Sequence, residues 1–198
     1  MKFVYALMAA FAALVAAGAH GGDCRVRFAG RVGAKFDALV RARCTGEDAR
    51  GLYYEETVNA FRTHFDDNHG SFDGWVTPEH GLWQGEYWGK NMLALLAGAD
   101  YAGDESLRRF AVERTRAFVG EFQRADGYIG TYSDDAYVVP TDPERQRMCW
   151  NLWGRKYTLW ALVEAYETTG DRDILAAAER ATDQAIAMLA DLKLSVRE

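Results

Sequence analysis

Aromatic and polar side chains crowd the predicted loops and helix starts, outside the apolar faces of the helices. The aromatic set comprises Trp75, Trp83, Tyr87, Trp88, Tyr128, Tyr132, Tyr137, Trp150, Trp153 and Tyr157. The polar set beside it comprises Glu79, His80, Gln84, Glu86, Gln123, Asp126 and Asn151. Sugars present flat C–H faces and hydroxyl edges, so a sugar pocket combines aromatic rings with hydrogen-bonding groups. The two sets together favour a carbohydrate pocket, although aromatic residues at helix starts also pack hairpins together.

Carboxylates among these aromatic residues suggest glycoside hydrolysis, which uses two carboxyl groups about 5–9 Å apart. Glu79, Glu86 and Asp126 all qualify by their surroundings. Glu86 equally fits an ion pair with Lys90, one helical turn later, and Asp126-Gly127 equally fits a turn. Because sequence spacing does not supply the required distance, no catalytic residue is assigned within this chain.

Other catalytic and metal-binding patterns are absent from the sequence. The four histidines include no H-x-x-x-H pair, no serine lies in a G-x-S-x-G turn, and no phosphate-binding glycine loop is present. The three cysteines form no C-x-x-C motif, so no metal site is predicted here. In an oxidising compartment Cys24 and Cys44 can pair, but the sequence does not require it.

The elements that must position these side chains come from an internal repeat. Trp88-Gly89-Lys90 opens an apolar helical run that ends at Gly103-Asp104, and Trp153-Gly154-Arg155 opens another that ends at Gly170-Asp171. The two Gly-Asp turns are 67 residues apart, which is room for two helices and their connections. The glycine can adopt the left-handed conformation that ends one helix, and the aspartate can cap the next. Each repeat therefore predicts a helical hairpin.

The sequence predicts an all-α fold, because strand-type alternation is nearly absent. Helices are predicted at 52–65, 86–101, 104–123, 151–168 and 171–190, after a poorly specified lead-in over 20–50 with at most one short helix. A closed ring of six such hairpins needs about 350–400 residues. Residues 51–198 are therefore predicted to form the N-terminal half of an (α/α)6 barrel, truncated at Glu198.

The first residues have the pattern of a secretory signal. Lys2 precedes an uncharged apolar stretch, and small residues at Ala17-Gly18-Ala19 suit cleavage after residue 19. A membrane anchor is the alternative, although the apolar stretch is short for a span. We therefore expect a periplasmic or secreted protein with no membrane association after cleavage. The net charge of −6 and the absence of a basic stripe disfavour a nucleic-acid partner.

Three segments, in their order and spacing, resemble glycoside hydrolase family 127, the β-L-arabinofuranosidase type. They are the runs Trp83 to Lys90, Gln123 to Tyr132, and Trp150 to Asp171. The most specific piece is Trp153-Gly154-Arg155-Lys156-Tyr157-Thr158-Leu159. The resemblance covers roughly residues 50–190 and implies a barrel of six helical hairpins, followed in the family by β-sandwich domains.

The resemblance also implies a retaining hydrolysis, with a cysteine nucleophile held on zinc and a glutamate as general acid/base. In the family these residues lie in the second half of the barrel, within a Cys-Cys pair and a Glu-x-Cys pattern. This sequence contains neither pattern, and its isolated Cys149 is not assigned as a nucleophile. The zinc ligands and catalytic residues are therefore expected beyond Glu198, and the chain alone is expected to be inactive and to bind no zinc.

The predicted function is that of the N-terminal part of a glycoside hydrolase acting on L-arabinofuranosyl groups of plant-type oligosaccharides or polysaccharides. The residues expected to line the sugar site in this half are Trp83, Glu86, Trp88, Tyr128, Trp150 and Tyr157. Two alternatives stay open: another α/α-barrel sugar enzyme, such as an unsaturated uronyl hydrolase or an epimerase, and a non-catalytic glycan-binding module. The sequence does not determine the oligomeric state.

Overall fold

The computed structural model of the protein describes residues 26–45, 52–63, 85–132 and 151–191. The predicted signal at 1–19 and the predicted site residues Trp83 and Trp150 lie outside these ranges. The helices in the described ranges are α1 Gly30–Val40, α2 Leu52–Thr63, α3 Gly85–Ala102, α4 Glu105–Phe122, α5 Asn151–Thr169 and α6 Arg172–Asp191, with a π-helical turn at Arg41–Thr45 after α1. Apart from one isolated bridge residue, the regular secondary structure in those ranges is helical. This confirms the all-α prediction.

The two hairpins α3–α4 and α5–α6 turn in the same way. Gly103 and Gly170 have φ angles of 64° and 69°, the left-handed region in which a side chain would be strained. The Asp104 carboxylate accepts a hydrogen bond from the Leu107 N–H at 2.9 Å, and Asp171 accepts one from the Asp173 N–H at 2.9 Å. The predicted repeat is therefore confirmed as a repeated helix stop and helix cap.

The hairpins stack so that α3 and α5 lie side by side, with α4 and α6 packed behind them. The close approach of α3 and α5 depends on glycines. A Cβ atom at Gly154 would lie 3.3 Å from the Gly85 backbone, and one at Gly89 would lie 2.9 Å from the Thr158 nitrogen and closer to the Tyr157 carbonyl. The glycine of each Trp-Gly motif thus faces the neighbouring helix of its pair.

Aromatic residues form the centre of the core between α2, α3 and α4. The Trp88 ring stacks on the Phe118 ring at 3.5 Å between centroids and 10° between planes, and Phe61 meets Phe118 edge-on at 4.8 Å. Trp88 and Phe118 are fully buried, and the apolar Met92 and Leu107 complete this region. The arrangement removes large apolar surfaces from water, which is the main stabilising contribution to such a fold.

The predicted lead-in contributes α1, which packs on the far end of α3. Phe36 meets Tyr101 edge-on at 4.5 Å. Cys44, in the π-helical turn, is a buried free thiol whose Sγ donates to the Ala94 carbonyl at 3.6 Å. Burial raises the pKa of this thiol to about 11. The disulfide considered for Cys44 is therefore not formed in this structure, and its suggested partner Cys24 lies outside the described residues.

Within the described ranges, no helix has both the length and the apolarity needed to cross a membrane.

Candidate functional site

The N-terminal halves of α3 and α5 bring together three side chains from the aromatic and polar sets of the sequence, Glu86, Trp153 and Tyr157, and the lysine suggested as the partner of Glu86. Glu86 and Lys90 lie one turn apart on α3, and Trp153 and Tyr157 lie one turn apart on α5. The two pairs meet because the glycine contact beside them leaves no side chain between the helix backbones. We call these four residues the Glu86 cluster.

Both carboxylate oxygens of Glu86 are held. Oε1 lies 2.7 Å from the Lys90 ammonium nitrogen, which confirms the predicted pairing one turn apart on the helix. Oε2 accepts a hydrogen bond from the indole N–H of Trp153. The Glu86 side chain is only 12% exposed. A carboxylate has about four lone-pair sites, so Glu86 can still accept from a ligand hydroxyl while both partners hold it in place.

Aromatic rings continue from this cluster along α5. Trp153 and Tyr157 meet edge-on with centroids 5.6 Å apart, and Tyr157 and Trp160 are nearly parallel, 17° and 6.3 Å apart. The Lys90 ammonium lies 4.7 Å from the Tyr157 centroid, so the same cation contacts both the carboxylate and the ring. Trp153 and Trp160 keep 41% and 43% of their surfaces exposed. A fixed carboxylate beside exposed rings can bind a sugar through its hydroxyls and its C–H face.

The structure separates the predicted site residues into three groups. Glu86 and Tyr157 lie together in the Glu86 cluster, and both are partly buried. Trp83 and Trp150 lie outside the described residues. Trp88 and Tyr128 are buried, with 0% and 1% of their surfaces exposed. These two rings offer a ligand no surface in this structure, so we correct their assignment from pocket lining to packing.

Tyr128 shows why a residue in a predicted sugar loop becomes a packing residue. Its hydroxyl accepts the backbone N–H of Tyr132 at 3.2 Å, and the Arg155 guanidinium lies 5.1 Å from its ring centroid. Arg155 in turn donates to the Ala181 carbonyl at 3.0 Å and to the Gln184 side chain at 2.6 Å. The ring therefore ties the loop after α4 to helices α5 and α6.

The same loop accounts for Asp126, one of the carboxylates considered for catalysis. Its Oδ1 accepts the Tyr128 N–H at 3.0 Å, and Gly127 follows with a φ angle of 94°. The Gln123 side chain donates to the Ala177 carbonyl at 2.8 Å and fastens the loop to α6. Asp126 therefore shapes a turn, the alternative that the sequence had offered for it.

Sequence reasoning did not select Trp153, Lys90 or Trp160 for the sugar site. Trp153 was in the wider aromatic set, but its repeat partner Trp88 was selected instead. A signal was available, because Trp153, Tyr157 and Trp160 have the spacing of residues that share one face of a helix. The shared helix face of these three residues would have favoured Trp153 over Trp88, which was selected only by its place in the Trp-Gly motif.

Acidic side chains predominate further along α5, near the C-terminal ends of α3 and α5. Burial, followed by the charges of Glu167 and Asp100, raises the pKa of Glu164. Asp100 is also bound by Arg108, whose guanidinium lies 2.5 Å from its carboxylate. The face of the α3–α5 pair is thus acidic at one end and carries two lysines, Lys90 and Lys156, at the other.

A zinc site does not fit the residues described here. Among residues 26–45, 52–63, 85–132 and 151–191, no three His, Cys, Asp or Glu side chains are grouped so that they could hold a metal ion. The buried Cys44 thiol has only a backbone carbonyl as its hydrogen-bond partner in this part of the chain. We therefore derive no metal-dependent step from these residues.

Comparison with known protein families matches residues 41–195 to the family described as beta-L-arabinofuranosidase, GH127 catalytic domain. The chain belongs to this family. The match spans α2 to α6 and so includes both hairpins and the Glu86 cluster. GH127 catalytic domains are of the α/α-barrel type, and the helices described here agree with that class. No curated protein and no solved structure matches the chain.

Membership in GH127 confirms the resemblance that the three sequence segments suggested. A GH127 domain is that of a glycoside hydrolase, so the substrate class is carbohydrate.

Proposed function

We propose that this GH127 chain supplies the substrate-positioning part of a glycoside hydrolase that acts on L-arabinofuranosides of plant-type glycans. The observation that carries the proposal is the Glu86 cluster, in which Lys90 and Trp153 hold one carboxylate beside exposed aromatic rings. In this proposal Glu86 accepts a hydrogen bond from a sugar hydroxyl. The Tyr157 and Trp153 rings contact the C–H groups of the same sugar.

The cluster is prepared for this role before any ligand arrives. A flexible glutamate loses rotamer freedom when it binds, and that loss weakens binding. In this chain the Lys90 ion pair and the Trp153 hydrogen bond already restrict the Glu86 rotamer before a ligand binds, so binding costs less rotamer entropy. Lys90 also keeps the site from carrying an unbalanced negative charge.

The chemical step is proposed to lie with residues beyond Glu198, because residues 1–198 contain neither the Cys-Cys pair nor the Glu-x-Cys pattern of the family. The zinc, its ligands, the cysteine nucleophile and the acid/base glutamate are assigned there only by the family resemblance. We therefore expect the 198-residue chain to bind an arabinofuranoside without cleaving it. We also propose that residues 1–19 direct export of the protein to the periplasm or the medium.

Titration of the chain with methyl β-L-arabinofuranoside, followed by tryptophan fluorescence, tests the binding role. Glu86→Gln should weaken binding by about tenfold, because a hydrogen bond to a charged group contributes about 1.5 kcal/mol or more. Glu113→Gln, at an exposed glutamate on α4, is the matched control and should bind like the parent chain. Equal binding by both variants would remove Glu86 from the site.

Incubation with p-nitrophenyl β-L-arabinofuranoside in zinc-containing buffer tests whether the chain binds an arabinofuranoside without cleaving it. No nitrophenol should be released above the buffer blank. Turnover by the parent chain that Glu113→Gln retains would show that the catalytic groups lie within these residues.

A further inference from the structure

The surface beside the Glu86 cluster holds an ammonium group between two aromatic rings. The Lys156 nitrogen lies 3.5 Å from the Trp153 centroid and 4.2 Å from the Tyr157 centroid. Lys90 contacts Tyr157 too, but its charge is matched by Glu86. In the part of the chain that the structure describes, Lys156 has no carboxylate within ion-pair distance.

Among the described residues, the charged groups in contact with these rings or with each other are Lys90, Lys156 and Glu86. Positive charge is therefore in excess among these three side chains, whereas the chain as a whole carries a net charge of −6. Cation–π contacts at exposed positions contribute about 0.5–1 kcal/mol and leave the positive charge of the ammonium unneutralised, so an anion can still pair with it. The charge favours a ligand that brings a carboxylate.

Trp160, one turn beyond Lys156 on α5, is an exposed ring that Lys156 does not contact in the described structure. It is 43% exposed and nearly parallel to Tyr157. Residues one turn apart on a helix have Cβ atoms about 5–6 Å apart. The Lys156 ammonium and the Trp160 ring both lie beside Tyr157, 4.2 Å and 6.3 Å from its centroid, so a sugar ring on Trp160 can direct a substituent towards that ammonium.

We propose that Trp153, Lys156, Tyr157 and Trp160 form a subsite for an acidic sugar, a pyranose that carries a carboxylate. The pyranose lies against Trp160, and its carboxylate pairs with Lys156, which keeps its contacts with the other two rings. The inference rests on the proposed function, because it places this sugar next to the arabinofuranosyl group held at Glu86. The substrate class is thus a glycan in which arabinose neighbours a uronic acid.

The test compares two ligands with the same sugar backbone, trigalacturonate and its fully methyl-esterified form, in which each carboxylate is replaced by an uncharged methyl ester. Tryptophan fluorescence of the 198-residue chain follows binding of each. At low ionic strength the acid should bind up to about fivefold more tightly than the ester, the range expected for an exposed ion pair. The preference should fade at about 1 M salt, where charges are screened within about 3 Å.

Two variants and one control variant show which residues cause the effect. Lys156→Gln should abolish the preference for the acid, while Lys35→Gln, at an exposed lysine on α1, should retain it. Trp160→Ala should weaken both ligands by about fivefold or more, because ring stacking on a sugar does not depend on its charge. Circular dichroism of each variant checks that the helices persist.

Several results would overturn the proposal. Equal binding of acid and ester, no binding of either, or a preference that survives in Lys156→Gln would each do so. Dimerisation of the chain that Trp160→Ala abolishes, without sugar binding, would make this surface a protein interface instead. Arabinofuranoside binding that Glu86→Gln weakens would leave the proposed function intact even if the acid preference is absent.

Discussion

Replacing Gly89 with alanine should force α3 and α5 apart. The new Cβ atom would lie 2.9 Å from the Thr158 nitrogen and nearer still to the Tyr157 carbonyl. Carbon atoms in comfortable contact lie about 3.5–4.0 Å from their neighbours, so the helices must separate by at least about 0.5 Å. Both obstructing groups belong to the α5 backbone, which cannot turn aside as a side chain would.

The free-energy cost follows from two opposing effects. Inserting one carbon into a packed interior costs about 1–3 kcal/mol, and a backbone obstacle places Gly89→Ala near the upper end. Alanine in a helix returns about 1 kcal/mol relative to glycine, because the unfolded chain is less flexible. The net loss of unfolding free energy is about 2 kcal/mol. For a chain of this length that lowers Tm by about 4–8 °C.

Gly120→Ala in α4 is the matched control. A Cβ atom there would meet nothing within 4 Å, so only the helix preference remains. This variant should raise the unfolding free energy by about 0.5–1 kcal/mol. Thermal unfolding followed by circular dichroism at about 222 nm, the helix signal, compares the pair. If Gly89→Ala melts at or above the temperature of Gly120→Ala, the glycine contact between α3 and α5 is not as described.

Two further predictions concern titration and charge. Hydrogen bonding from Arg116 lowers the pKa of Asp171, so Asp171→Ala should cost about 1 kcal/mol of unfolding free energy at neutral pH. Denaturant unfolding should show this difference shrinking as the pH falls below the ordinary aspartate range, because protonation removes the stabilisation in the parent chain; a difference that persists at pH ~2 refutes it. Burial and the charges of Glu167 and Asp100 raise the pKa of Glu164, so its ionisation makes the folded chain less stable as the pH rises above the ordinary glutamate range. Glu164→Gln should therefore stabilise the chain by a few tenths of a kcal/mol at neutral pH, and a loss of stability there would contradict this assignment.

The helices and turns could be predicted from the sequence because their causes are local. The helix predicted at 104–123 spans Glu105–Phe122 in the structure, and the helix predicted at 171–190 spans Arg172–Asp191. Each is started by an aspartate side chain within its own first turn, and each follows a left-handed glycine. Such interactions join residues a few positions apart, so the order of residues is enough to specify them.

The candidate site could be predicted only in part. The Glu86–Lys90 pair follows from helix spacing, and the structure has it. The hydrogen bond from Trp153 to Glu86 joins residues on different helices, and nothing in their sequence separation indicates it. Tyr128 was misassigned because its loop folds onto α6 through Gln123, a contact that requires both hairpins to be in place.

The internal repeat shows which features the sequence determines and which features depend on the tertiary structure. Sequence alone determined that Trp88-Gly89 and Trp153-Gly154 lie near the starts of equivalent helices, because capping, glycine conformation and helical period act along one stretch of chain. Only the tertiary structure decided that Trp88 is buried on Phe118 while Trp153 stays 41% exposed beside Glu86. Burial of a ring depends on which residues of other helices stand opposite it, and the repeat carries no information about those partners.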